Sequence, residues 1–246
     1  MSFKDHFSGL ASAYARYRPT YPPELAAYLA AAAPSRALAL DLATGNGQAA
    51  IDLANHFDQV LASDASARQL AEAIAHPRVF YLQHPAERLP VRSGSADLIA
   101  VAQAAHWFDF DRFYPEARRV LRPGGMVALW TYGLFHIDTA IDAAIAQFYH
   151  EVVGPYWPPE RRFVEARYQT LPFPLADSPA PPFEIALEWS LADVISYLGT
   201  WSAVGGYRSV RGEDPLPQIM GSLEALWSAG TLKHVHWPLY LRTGCF

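Results

Sequence analysis

The 246-residue sequence has one cysteine, Cys245, and no CxxC or Cys/His cluster, which excludes an internal disulfide and a zinc knuckle. It has no basic run with interleaved aromatics. Nineteen Lys and Arg stand against 24 Asp and Glu, a formal net charge of −5, so nucleic acid is not an expected partner and a small-molecule substrate is. It also lacks an apolar run that could span a bilayer: "LAAYLAAAAP" is the nearest, and Pro23 and Pro34 bound it. The opening "MSFKDHFSGLASAYARYRPTYPP" has no apolar core of a secretory signal. These absences lead us to expect a cytoplasmic protein with no membrane partner, no metal site, and a monomeric or weakly dimeric state.

Aromatic residues are plentiful, at 13%, with 7 Trp and 13 Tyr. They serve either a pocket for an organic substrate or ordinary packing. Apolar runs and helical stretches alternate through the first half. "RALALDL", "QVLASD", "RVFYLQ", "ADLIAVAQ" and "PGGMVALWTY" read as five buried strands, with helices over residues 48–57, 67–75 (capped by Ser66) and 111–120. This predicts an α/β fold, a doubly wound and mostly parallel sheet with helices on both faces. After Tyr132 the pattern changes to a helix over 139–150 and then the proline-dense "GPYWPPERR" and "LPFPLADSPAPPFE". Trp157, Phe163, Tyr168 and Phe173 would be costly to expose, so the segment is expected to be a Pro-rich and helical cap. "FEIALEW" returns as a strand, Ser190 caps a helix through Trp201, and another helix covers 217–228. "KHVHWPLYLRT" closes the sheet as an antiparallel or edge strand. The expected division is one catalytic domain over 1–246. It has an N-terminal lid (1–35), a cofactor-binding core (36–132), a cap insertion (133–183) and a C-terminal part (184–246).

The turn "GNGQAA" after the first strand satisfies G-x-G-x-x-A, which admits a nicotinamide or flavin enzyme. A dinucleotide would place its pyrophosphate on the helix N-terminus just after the strand, where Asp41 would repel it. A cofactor with cationic ends is attracted instead. S-adenosylmethionine carries an ammonium and a sulfonium and no phosphate. Gly45 and Gly47 would let the backbone approach it closely, and Asp64, ending the second strand, would accept the ribose hydroxyls.

With these residues in hand, the chain resembles the class I S-adenosylmethionine-dependent methyltransferases, Rossmann-like enzymes, over nearly its whole length. "LDLATGNGQ" is similar to their glycine-rich first motif and "LASDAS" to the acidic second. "HPAERLPVRSGSADLIAVAQAAHWF" resembles the adenine-side loop and fourth strand, and "ARRVLRPGGMVAL" the junction into the fifth. "YARYRPTYP" and "QAAHWFD" resemble a small-molecule subgroup that includes trans-aconitate methyltransferase-like proteins. The resemblance implies that Asp41, Ala43, Gly45 and Gly47 hold the methionine end, Asp64 the ribose, Ala65 the adenine face, and Ala86 with Glu87 the adenine edge. It places Gln103 beside the transferable methyl. Ala43 stands where the family usually has a glycine, and Pro85 where many members have an acidic residue.

For chemistry, His106 is the candidate base or orienting donor. Trp107 and Trp201 are candidate walls of the substrate site. Tyr14 and Tyr21 flank it from the N-terminal lid, and Arg18 offers a planar fork for the cofactor carboxylate. His234 and His236 share a strand face without a third ligand and read as structural. The expected activity is transfer of a methyl group to a small organic molecule, at a carboxylate or hydroxyl oxygen, with S-adenosylhomocysteine as product. The alternatives are a nicotinamide-dependent oxidoreductase and a non-catalytic S-adenosylmethionine-binding module.

Overall fold

In the computed structural model, which describes residues 19–246, every strand expected from the apolar runs is present. They are β1 (Leu38–Leu42), β2 (Gln59–Asp64), β3 (Val79–Gln83), β4 (Ala96–Ala102), β5 (Leu121–Tyr132), β6 (Phe183–Trp189) and β7 (Lys233–Cys245). They form one sheet in the order β3, β2, β1, β4, β5, β7, β6. β1 pairs in parallel with β2 and β4, β2 with β3, and β4 with β5, while β7 runs antiparallel to both β5 and β6. The fold is Rossmann-like. The strand order reverses between β1 and β4, the place where open α/β sheets bind ligands.

Period-two alternation divides the core. Ala39, Leu98 and Ala100 point to a face packed by Leu29 of α1 (Pro23–Ala32) and Leu53 of α2 (Gln48–Ala54). Leu40, Leu42, Ile99 and Val101 point to the other face, against Phe113 and Val120 of α4 (Phe110–Val120). Both faces of β4 are fully buried, as a central parallel strand requires.

Ser66 does cap α3 (Ala67–Ala71), but that helix stops four residues before the expected end. Of the two readings of the last strand, the antiparallel one holds: β7 is an interior strand, with β6 outside it at the edge. Pro238 is tolerated inside β7 because β5 begins to pair only at the next residue, Leu239 opposite Tyr132.

The second half departs further from expectation. α5 (Thr139–Gln147) runs into a π-helical turn, Phe148–Val152, and the short α6 (Arg161–Glu165) follows. The helix capped by Ser190, α7 (Leu191–Gly199), does not reach Trp201, whose extended backbone (ψ 134°) starts a separate helix, α8 (Ser202–Arg211). Gly205 and Gly206 hide α8 from a propensity reading, since each glycine costs about 1 kcal/mol in a helix. Gly206 has a packing reason: a Cβ there would sit 3.1 Å from the Tyr156 carbonyl oxygen. α9 (Pro217–Leu226) completes the helices among the described residues.

The Pro-rich stretch 171–182 runs along β7, where Arg242 donates to the Tyr168 and Leu171 carbonyls (3.1 and 3.0 Å) and pairs with Asp177 (2.7 Å).

Candidate active site

The turn between β1 and α2 is built from alternating left-handed residues: Ala43 (φ 54°), Gly45 (φ 60°) and Gly47 (φ 92°). The Gly45 amide donates to Asp64 Oδ2 (2.9 Å), and the Ser66 amide donates to Asp64 Oδ1 (2.8 Å), so the second acidic residue is tied to the turn. A Cβ on Gly47 would lie 2.1 Å from Tyr81 Oη. The space above that glycine is taken by the Tyr81 phenol, which donates to the Ile74 carbonyl (2.7 Å). A Cβ on Gly45 would meet only Gln69 Oε1, at an ordinary 3.8 Å, so it is the left-handed φ that favours glycine there.

Asp41 is wholly buried. Burial pushes its carboxyl up to about 7; the Thr44 hydroxyl, donating to Oδ2, opposes the rise, and the charge of Asp64 adds to it. Its other oxygen, Oδ1, has no hydrogen-bond partner among the described residues, although the Ala50 amide also acts to lower the carboxyl. Asp97, equally buried at the start of β4, accepts the Ala37 and Leu38 amides (2.9 and 2.8 Å) and pairs with Arg122 (2.9 Å). One buried aspartate has its cation, and the other has none among the described residues. An orphaned buried carboxylate oxygen at a helix-opening turn is a place for an incoming ammonium.

A cleft of about 540 Å³, counting its open mouth, lies at the carboxyl ends of β4 and β5. Among the described residues it is lined by Gln103, His106 and Trp107 after β4, Tyr132 and Gly133 after β5, Trp157, Pro158 and Arg161 from the cap, and Tyr197, Trp201 and Ser202 from the junction of α7 and α8.

Gln103 is held in the left-handed region (φ 54°). Its side-chain amide continues the β4–β5 ladder: Oε1 accepts the Tyr132 amide (2.9 Å) and the Thr131 hydroxyl, and Nε2 donates to the Tyr132 carbonyl (3.0 Å). Strain of this kind persists where the surroundings over-determine it. His106 sits in a single 3₁₀ turn, with Nδ1 2.8 Å from the hydroxyl of the fully buried Tyr168 and its ring 4.7 Å from that of Trp107. Burial also pushes the Tyr168 phenol up, so at neutral pH it is a neutral hydroxyl that fixes the imidazole.

The cleft thus brings together Gln103, His106, Trp107 and Trp201 of the expected residues. Asp41, Ala43, Gly45, Gly47 and Asp64 form the neighbouring turn. On the adenine side, Ala65 is half-buried with its carbonyl accepting from Gln83 (3.2 Å), and Ala86 is buried. Glu87 Oε1 accepts the Asp109 amide at the start of α4 (3.0 Å), so one of its oxygens is already engaged. Tyr21 is not among the cleft residues. It packs edge-on against Trp130 (5.4 Å) in a small depression shared with Asp52, whose carboxyl burial raises to about 6. Tyr14 and Arg18 lie outside the described residues.

His234 and His236 stack (5.8 Å), and no group of three or more metal-ligating side chains occurs among the described residues. No helix among those residues is long and apolar enough to cross a membrane. Sequence reasoning missed Arg161, Tyr132, Tyr197 and Tyr81, for which no motif or spacing gives a signal, and it named Tyr168 only as a candidate cap residue.

Residues 40–129, from β1 through the glycine turn into β5, match the family model for a methyltransferase domain. A protein of Dictyostelium discoideum named as a methyltransferase is 33% identical over 97% of this chain and 94% of its own length. The chain belongs to the class I S-adenosylmethionine-dependent methyltransferases. A solved structure from Anaeromyxobacter dehalogenans, named as a type II methyltransferase, is similar to this methyltransferase with a TM-score of 0.87 and 44% identity, over 93% of this chain and 97% of that one. A Haemonchus contortus phosphoethanolamine N-methyltransferase solved with S-adenosylhomocysteine shares the fold at a TM-score of 0.51. It is 17% identical and is matched over all of this chain and 61% of its own. S-adenosylmethionine is the methyltransferase's cofactor, and the residues fit it: the orphaned Asp41 oxygen suits an ammonium and repels a pyrophosphate, which leaves the nicotinamide alternative without support.

Proposed function

We propose that this methyltransferase acts on an oxygen, carboxylate or hydroxyl, of a small organic molecule bound in the cleft after β4 and β5. The observation that carries this reading is the cleft itself. Five aromatic side chains, Trp107, Tyr132, Trp157, Tyr197 and Trp201, line it, with Gln103 and His106 at the strand ends. A macromolecular acceptor would call for an open charged surface instead.

In this reading Asp41 holds the cofactor's ammonium and Asp64 its ribose, with Ala65, Ala86 and Glu87 around the adenine. Arg18, Tyr14 and Tyr21 belong to the N-terminal side of the site. When bound, S-adenosylmethionine would supply the methyl group, with the electron pair of the carbon–sulfur bond leaving on sulfur. The acceptor oxygen provides the pair for the new bond. A carboxylate has no proton to lose; a hydroxyl passes its proton to His106, held by Tyr168. The aromatic walls exclude water and fix the line of approach, and positioning of this kind can supply much of the rate.

The test is incubation with methyl-labelled S-adenosylmethionine and a panel of hydroxy acids, phenols, carboxylic acids and amines. The expected product carries the label on oxygen, as a base-labile ester or a stable ether. Label on nitrogen would overturn the oxygen assignment. Tight S-adenosylhomocysteine binding without turnover on any acceptor would support the non-catalytic module.

A further inference from the structure

Arg161 is the only formally charged side chain lining the cleft among the described residues, and no carboxylate faces it there. Its Nε donates to Tyr149 Oη (2.8 Å), and that hydroxyl in turn donates to Glu165 Oε1 (2.7 Å). The guanidinium lies over the Trp157 ring, 4.5 Å from its centre, and 5.4 Å from the centre of Tyr149. Its two terminal nitrogens make no hydrogen bond or ion pair with the described residues. The fork is therefore oriented by its Nε bond and by ring stacking while its outer edge is unpaired. In a chain with net charge −5, this is a positive cleft.

An aromatic-walled pocket by itself suits a cationic ligand. Here the π faces of Trp157 and Tyr149 already hold a cation, and a second positive charge would meet Arg161, because Glu165 lies behind the Tyr149 hydroxyl and outside the cleft lining. A planar anion meets the reverse situation: it can bridge both terminal nitrogens in the bidentate geometry that guanidinium favours, inside apolar walls that strengthen the attraction.

We propose that Arg161 is an anion subsite that selects acceptors bearing a carboxylate, with the apolar body of the molecule against Trp157 and Trp201 and the reacting oxygen toward Gln103 and His106. This rests on reading the cleft as the acceptor's pocket. The methionine carboxylate of the cofactor is the other possible source of the anion. It is disfavoured because the glycine turn and both of its aspartates lie outside the cleft lining.

The test uses binding, not turnover. Phenylacetate and 4-hydroxybenzoate are titrated against their uncharged amides, phenylacetamide and 4-hydroxybenzamide, with and without saturating S-adenosylhomocysteine, on wild type, Arg161→Met and Arg161→Lys. The wild type is expected to bind the carboxylates about tenfold or more tightly than the amides, as a lost charge-assisted pair implies. Arg161→Met should bring the ratio near one with S-adenosylhomocysteine affinity unchanged, and Arg161→Lys should keep part of it. A wild-type ratio near one, or a preference that survives Arg161→Met, overturns the proposal; the wild-type arm needs no variant to fold. In a parallel arm, S-adenosylhomocysteine is compared with methylthioadenosine, which lacks the amino acid. Weakening of the first alone by Arg161→Met would assign the guanidinium to the cofactor and also overturn the proposal. Failure of S-adenosylhomocysteine to bind at all would count against the methyltransferase site itself, while the carboxylate preference, read without it, would still stand or fall alone.

Discussion

The glycine turn and the aromatic cleft adjoin on one edge of the sheet but are made in different ways. The turn comes from the backbone of residues 43–47 and two aspartates at the ends of adjacent strands, Asp41 on β1 and Asp64 on β2. The cleft comes from side chains of separate segments around residues 103–107, 132–133, 157–161 and 197–202. A backbone device needs particular residues at fixed spacing, because only some residues tolerate its dihedrals. A side-chain pocket needs only that suitable groups meet in space, so acceptor choice can change in the cleft without disturbing the turn.

The sharpest way to break the turn alone is Gly47→Ala. The new Cβ would meet Tyr81 Oη at 2.1 Å and hold a left-handed φ of 92°. Overpacking and the left-handed cost together should destabilise the protein by about 2–4 kcal/mol, read from denaturant midpoints at constant m. Adding Tyr81→Ala should recover the steric share and leave the dihedral share. Full recovery would show that φ there is unimportant.

The next effect separates the two regions by pH. The folded pKa of Asp41, about 7, lies above its ordinary value of 3.8, so folding favours its protonated form. Stability from this group is fully present below about pH 4 and is lost as pH rises through about 7 in the ligand-free protein. An ammonium beside it requires the ionised form, so binding below pH 7 must release a proton. S-adenosylhomocysteine affinity should fall about tenfold per pH unit below 7, with proton release visible by calorimetry in buffers of different ionisation enthalpy. In Asp41→Asn the slope should flatten; an unchanged slope would move the proton to another group.

In the cleft, Tyr168→Phe removes the hydroxyl 2.8 Å from His106 Nδ1 and leaves the ring in its buried place. For a hydroxyl acceptor, kcat should fall about tenfold with KM and cofactor affinity within twofold, and the pH–rate profile should shift as the imidazole loses this hydrogen bond. For a carboxylate acceptor, which gives up no proton, the profile should keep its shape. Loss of cofactor affinity in this variant would mean that the two regions are not separable.

How much was legible follows the same division. Of the parallel strands, β1, β4 and β5 were readable because burial on both faces forces uninterrupted apolar runs, and Asp41 stood out because it ends one of them. His106 was visible from its place just past β4, but its partner Tyr168 lies 62 residues further on, beyond a π-helical turn and α6, and no periodicity joins them. Arg161 in "PPERR" has the look of a solvated charge; its role emerges only where Tyr149 and Trp157 converge on it. The break at Trp201 was hidden because its buried side chain continues the apolar pattern of α7 while its backbone leaves the helix.

The smallest effect asks whether the turn's one departure from glycine matters. Ala43 holds φ 54°, a conformation that costs an L-residue about 1 kcal/mol, and Ala43→Gly would relieve it. Glycine also gains freedom in the unfolded chain, a loss on folding of about 0.5–1 kcal/mol. The two nearly cancel, so stability should move by no more than about 0.5 kcal/mol, and S-adenosylhomocysteine affinity should not change if Gly45 and Gly47 hold the turn's shape. A gain well above 1 kcal/mol would show instead that Ala43 strains its neighbours Leu42 and Thr44. Asp41, held by the Thr44 hydroxyl, would then report that strain as a shifted pH dependence of binding.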